Sequence, residues 1–268
     1  MIYRLTLLVV LTTPVAAQNA VRKEESTDAI IERLRNNPSD NLWVGELAKR
    51  SDPQVIPALR ELFIQAKLSA ATGEDGRPTS QVVAADLMHL GVKDDLYFNE
   101  LAGYVRDDIS ADPPEPYLLD AEGKEDISKR NPRFEQWCAT RKIDFDPCTG
   151  KSLGFVVDFG LLSMANDKRA IPLLRLALGA SNSAMVLIAV ASLARLNDTA
   201  SIPSIAKACA RLSPQSAEEV AIMAGRFDDP AVVGLLNQYV RDPETRENVK
   251  KEWLDRRSKT EPSSDRKR

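Results

Sequence analysis

Residues 167–198 read DKRAIPLLRLALGASNSAMVLIAVASLARLND. Two apolar runs flank a small polar break, GASNS at 179–183, and the stretch ends on an Asp as it began on one. In the first run Ile171, Leu174 and Leu178 fall 4, 7 and 11 residues after Asp167. Those offsets share one face of an α-helix, because about 3.6 residues make a turn.

The pattern recurs. An anchoring Asp stands at Asp52, Asp94, Asp167, Asp198 and Asp229, the last three spaced by 31 residues. Four residues on stand Ile56, Phe98, Ile171, Ile202 and Val233; seven on, Leu59, Leu101, Leu174, Ile205 and Leu236. Eleven on stand Phe63, Val105, Leu178, Cys209 and Val240. Five before the anchor come Leu47, His89, Leu162, Leu193 and Ala224, which belong to the preceding helix. Each unit is thus a helix A, a turn and a helix B. Neither helix can bury its apolar face alone, whereas stacked units can. The anchor carboxylate can cap the start of helix A. A Pro five residues in, at Pro57, Pro172 and Pro203, lacks an N–H and predicts a delayed or kinked start.

The motif D-x-x-x-I-P-x-L of Asp167–Leu174, followed by an Ala-rich helix B, resembles the HEAT repeat superfamily, in its short phycobilin-lyase type. The resemblance covers most of residues 26–249 and implies an all-α, right-handed solenoid of about five helix pairs. Such folds host many unrelated functions, so it implies no activity.

Against the 31-residue ruler two surpluses stand out, of 11 residues between Asp52 and Asp94 and of 42 between Asp94 and Asp167. The first lies around Ala70–Thr79; the second spans about 107–150. Both fall in the A-to-B turn, so both loops are expected on one rim, where insertions often mark a binding face. From Asp107 to Gly150 the second carries eleven acidic and six basic residues. Its aromatics Tyr117, Phe134, Trp137 and Phe145 predict an ordered excursion with a short helix near Pro132–Thr140. They either anchor a protein partner or pin the loop to the body.

The first residues, MIYRLTLLVVLTTPVAAQ, have the charge, apolar run and small residues of a signal peptide, with cleavage expected after Ala17. That predicts export to the periplasm or outside the cell, and no stable membrane anchor. Residues 18–254 would form the solenoid and 255–268 a disordered charged tail. In an oxidising compartment a disulfide between Cys138 and Cys148 is expected, contributing roughly 3 kcal/mol by loop closure. Cys209 reads as a buried free thiol.

The acidic body argues against nucleic acid. The one histidine, His89, excludes histidine-based metal centres and gives no support to a histidine-assisted hydrolase; in its column it reads as a core residue. Asp144–Gly150 departs from a calcium loop, with Thr149 where glycine is required and Phe155 where glutamate is. No phosphate-binding or dinucleotide fingerprint is present, so no cofactor, metal or catalytic residue is assigned. The resemblance places helix B on the concave face, which would make Asp86 and Asp158 groove acids and Lys49, Arg195 and Arg226 a basic ladder. The leading expectation is an exported, non-enzymatic scaffold that binds a protein partner, of unknown oligomeric state. The alternative is an enzyme or small-ligand binder, lyase-like or acting on the envelope, that uses the groove acids.

Overall fold

The computed structural model describes residues 25–73, 77–141 and 154–260. The residues expected as a signal peptide, and Phe145, Cys148 and the rest of Asp144–Gly150, lie outside that set. The described residues form thirteen α-helices, two short 3-10 turns and one two-stranded hairpin. The chain divides into two compact units between Val92 and Lys93.

The first unit holds α1 (Thr27–Asn36), α2 (Asn41–Ala48), α3 (Val55–Ser69) and α4 (Thr79–His89). Helix α1 packs on α3, α2 packs on α4, and each helix also packs on its chain neighbour. The second unit holds α5 (Asp95–Ala111), β1 (Tyr117–Leu119), β2 (Glu125–Arg130), α6 (Pro132–Arg141), α7 (Gly154–Met164), α8 (Ile171–Ala177) and α9 (Ser183–Arg195). It continues with α10 (Ile202–Arg211), α11 (Pro214–Ala224), α12 (Val232–Tyr239) and α13 (Pro243–Thr260). Here α7, α9 and α11 pack side by side in one layer. In the other layer α5 meets α8 and α10 meets α12, while α5–α7, α8–α9 and α10–α11 join the layers.

The sequence columns explain this packing. All five residues seven after the anchor, and all five eleven after it, are buried. Each such side chain contributes on the order of 2 kcal/mol by leaving water. Two of the five anchors are caps: Asp94 caps α5 and Asp167 caps the 3-10 turn before α8, each accepting the N–H two residues on at 2.9 Å, whereas Asp52 and Asp229 accept the same N–H, at 2.9 and 2.8 Å, in turns that precede α3 and α12. Asp198 is instead held by the Arg175 guanidinium at 2.6 and 2.9 Å. The prolines delay the helix as expected. Before Pro172 and Pro203 the chain makes a 3-10 turn, Lys168–Ala170 and Thr199–Ser201, and only then enters α8 and α10. There Pro occupies an early position where no intrahelical N–H bond is lost.

His89 does not join its column; it is exposed. Two other helices B, α7 and α9, end at a left-handed Asn directly before the anchor, Asn166 (φ 49°) and Asn197 (φ 50°). The equivalent residue in this repeat is Gly91 (φ 87°), with Val92 and Lys93 inserted before Asp94. The hydrogen bonds agree: Val92 N–H bonds to Leu87 C=O as Asp198 N–H bonds to Leu193 C=O, both at 3.0 Å. Leu87, fully buried, takes the core place that counting back from Asp94 assigns to His89.

Two further boundaries shift. Helix α5 continues to Ala111, into the stretch read as insertion. Helix α13 continues to Thr260, so residues 255–260, expected as disordered tail, are helical. Trp253 anchors α13: its ring is buried, its indole N–H donates to Phe227 C=O at 3.0 Å, and Arg257 lies 5.1 Å over it.

Candidate functional site

The long insertion departs most from the repeat, and its described part, 112–141, is ordered by three sets of contacts. The first is to the turn before α9. Asp112 accepts from Ser181 N–H at 2.7 Å and from the Ser181 hydroxyl at 2.8 Å. The Glu115 carboxylate accepts from Ser183 N–H at 2.6 Å, and the Asn182 amide donates to Pro114 C=O at 3.2 Å. The polar break in the opening stretch thus has a local reason. Its serines and asparagine offer donors that the acidic arm takes up, and two carboxylates sit at the positive end of α9. Asn182 also caps α9 itself, accepting from Ala184 N–H at 3.0 Å.

The second contact is further along. β1 and β2 form an antiparallel hairpin closed by Asp120, whose carboxylate accepts from Glu122 N–H and Lys124 N–H at 2.8 Å. At its tip Gly123 (φ 74°) approaches Pro214, the first residue of α11; a Cβ at 123 would lie 3.0 Å from the proline ring. The arm therefore runs from the turn before α9 to the turn before α11. Sequence reading placed the insertion at an A-to-B turn but gave no sign that it lies back along the following ones.

The third contact involves the aromatic candidates. Helix α6 lies where the short helix was expected, and Phe134 is only 1% exposed. Trp137 is half-buried, stacks on Phe134 with centroids 6.0 Å apart, and donates its indole N–H to Ala111 C=O at 3.1 Å. Tyr117, also half-buried, carries the Arg130 guanidinium 5.7 Å over its ring. Phe134 is thus buried under the arm, and Trp137 ties α6 to the end of α5 through Ala111 while remaining half-exposed. Cys138 is buried and a free thiol, so the expected bridge to Cys148 is not formed. Its side chain faces inward from α6, and burial raises its pKa. Cys209 is the buried free thiol expected, pushed up to about 11 by burial.

What the arm does expose is on the hairpin. Leu118 is 41% exposed, Leu119 49% and Ile127 78%. Pairing joins Leu118 to Asp126 and Tyr117 to Arg130, so Ile127, Ser128 and Lys129 bulge out of β2. The Asp126 carboxylate holds that bulge, accepting from Ser128 N–H at 3.1 Å and its hydroxyl at 2.5 Å, with Lys129 Nζ at 2.9 Å. The Ser128 and Lys129 donors keep Asp126 ionised, lowering its pKa to about 2. A bulge re-aims a side chain; this one holds an isoleucine out in water.

The groove acids lie in separate units. Asp86, on α4, is largely buried, and one of its oxygens has no hydrogen-bond partner. Burial raises its pKa to about 6 against the opposing charges of His89, Lys49 and Arg77. Asp158, on α7, is half-buried, and burial together with the nearby charge of Asp158 raises the pKa of Asp108, near the end of α5, to about 8. Sequence reading missed Asp108, because the insertion obscured which residues of α5 face α7. Lys49, Arg195 and Arg226 are exposed, and Lys49 pairs with Glu46 at 2.8 Å. Depressions between α1 and α3, lined in part by Ile31, Leu34, Arg35, Ala58, Glu61 and Gln65, hold neither Asp86 nor Asp158. Among the described residues no cluster of three or more His, Cys, Asp or Glu is placed to hold a metal ion, and no helix is long and apolar enough to cross a membrane.

Comparison with known proteins gave no match among family models, curated proteins or solved structures.

Proposed function

We propose that this protein is an exported, non-enzymatic scaffold that binds a protein partner through the hairpin on its insertion. On this reading the helices form a right-handed solenoid of about five HEAT-like pairs. The layered packing of α7, α9 and α11 and the buried 31-residue columns support it. Export rests on the signal-like residues 1–17.

The observation that carries the proposal is the bulge. A folded chain gains nothing for its own stability by holding Ile127 in water with Leu118 and Leu119 beside it. The residues around it are nonetheless fixed, by Asp126 from within the strand and by the contacts at Ser181, Ser183 and Pro214. Rigid presentation of an apolar side chain lowers the entropy lost on binding. The partner would supply an apolar pocket for Ile127.

The test is site-specific photo-crosslinking from position 127 in the native envelope. A discrete adduct, lost when Leu119→Asp is added, is the expected result. A pattern that Leu119→Asp leaves unchanged would remove the hairpin from the function. Ile127→Asp should leave the unfolding midpoint within about 0.5 kcal/mol of the parent, since the side chain is exposed.

A further inference from the structure

The turn before α9 offers two serines, Ser181 and Ser183, and each meets a carboxylate of the arm. The two meetings are unequal. Asp112 takes both donors of Ser181, the N–H on one oxygen at 2.7 Å and the hydroxyl on the other at 2.8 Å. Glu115 takes only the N–H of Ser183, at 2.6 Å. The Ser183 hydroxyl is enclosed at the first position of α9, on a residue 2% exposed, and has no hydrogen-bond partner. The other Glu115 oxygen is likewise enclosed without one. An enclosed donor and an enclosed acceptor thus belong to one contact and do not satisfy each other, which weighs against the closed state. The site offers more than its occupant uses.

The occupant has the build of a ligand. Residues 112–116 read DPPEP and belong to neither helix nor strand. Pro113, Pro114 and Pro116 bring no N–H and have a fixed φ, so the segment is stiff before it docks and loses little entropy on docking. Pro113 is buried, and Pro114 C=O accepts from the Asn182 amide at 3.2 Å. The receiving side is set for negative charge. The start of α9 carries partial positive charge. The Arg211 guanidinium, from the last residue of α10, donates to Ala180 C=O at 2.7 Å, one residue before Ser181.

We infer that the turn at Ser181–Ser183 is a peptide-binding site for an extended, proline-rich segment of a partner protein that carries two carboxylates, and that the arm's own DPPEP holds it as a competitor in cis. A partner segment that brings its second carboxylate onto both the N–H and the hydroxyl of Ser183 gains the bond that Glu115 leaves unmade. Asp112 shows that arrangement on Ser181. Binding is then an exchange of one acidic segment for another, and residues 112–116 are released as the partner enters. The inference does not depend on what the hairpin binds.

The experiment titrates a synthetic peptide of residues 111–117 into the protein and follows the amide signals of Ser181 and Ser183 by NMR. In the variant Asp112→Ala with Glu115→Ala the cis acids are gone, and both signals should shift saturably as the peptide is added. A peptide with Asn and Gln in place of its two acids should bind roughly tenfold more weakly, because it brings no charge-assisted bond. The parent should also need roughly tenfold more of the acidic peptide, because its tethered acids compete at an effective concentration in the millimolar range. Retained signals from α10–α12 report that the repeats stay folded; should the double variant lose them, Glu115→Ala alone, which keeps Asp112, takes its place. A folded variant with no saturable shift at Ser181 and Ser183 overturns the site, and so does a neutral peptide, or a parent, that binds as tightly as the acidic peptide binds the variant.

Discussion

The regular repeats and the insertion are stabilised in different ways. From Asp167 to Val240 the fold rests on repeated apolar columns, with Leu174, Leu193, Ile205 and Leu236 fully or almost fully buried. The arm 112–141 has few such residues; among its described side chains Pro113, Phe134 and Cys138 are the buried apolar ones. It is held mainly by polar contacts, from Asp112, Glu115, Asn131 and Trp137. Apolar columns add up along the chain and are insensitive to pH. A carboxylate on a helix end is local, directional and open to water, so the arm can be detached while the helices stay folded.

Core truncation is the strongest way to test that contrast. Leu193→Ala, in the layer formed by α7, α9 and α11, should cost about 3 kcal/mol in urea unfolding followed by helical signal. Phe134→Ala removes a larger side chain, yet should leave that transition nearly in place and raise exchange in 112–141. If Phe134→Ala shifts the global midpoint as far as Leu193→Ala does, the arm belongs to the core and the contrast fails. A smaller effect is expected at the end of the chain. An alanine Cβ at Gly225 would lie 2.6 Å from Val249 Cγ1, so Gly225→Ala should cost about 2 kcal/mol by overpacking. The loss should appear as a weakened near-ultraviolet signal from Trp253 as α13 loosens.

Asp86 brings pH dependence into the first unit. Its folded pKa, raised by burial, means that stability declines as pH rises from the ordinary 3.8 to about 6 and is level above. Asp86→Asn should flatten that slope and raise stability at neutral pH by roughly 1.5 kcal/mol. Urea midpoints of parent and Asp86→Asn at about pH 4 and about pH 7 decide it; a variant whose midpoint shifts with pH as the parent's does would reverse the assignment.

The repeat was legible because a period and its columns do not depend on knowing the fold. The anchor caps, the delayed starts at Pro172 and Pro203, and the buried columns at offsets 7 and 11 all follow from local rules. His89 shows the limit. Its place was counted from Asp94, but helix B ends by its own signal, the left-handed Gly91, and the two residues between end and anchor were invisible to a count. The insertion was legible as an excursion with a helix near Pro132, and its aromatics as anchors of one kind or the other. Their direction was not, because an indole facing a partner and one bonded to Ala111 C=O have the same sequence. The bulge at Ile127 was missed because DISKR shows no apolar alternation. Asp108 was missed because its neighbour Asp158 lies 50 residues away across the insertion.

The smallest expected effect tests the arm at a single bond. Glu115 is half-buried, and one of its oxygens takes Ser183 N–H while the other has no hydrogen-bond partner. Glu115→Ala leaves the first N–H of α9 without its acceptor, a loss of about 1 kcal/mol for a part-exposed charged bond. Asn182 still caps the helix, so α9 should stay formed. The cost should fall on the arm, as a few-fold rise in exchange across 112–131 with an unchanged urea midpoint. Glu115→Gln keeps an acceptor oxygen and should recover most of the protection, which separates the hydrogen bond from the charge. A lowered midpoint in Glu115→Ala would instead mean that the arm and α9 unfold as one cooperative piece. The contrast between column and carboxylate would then hold for composition but not for stability.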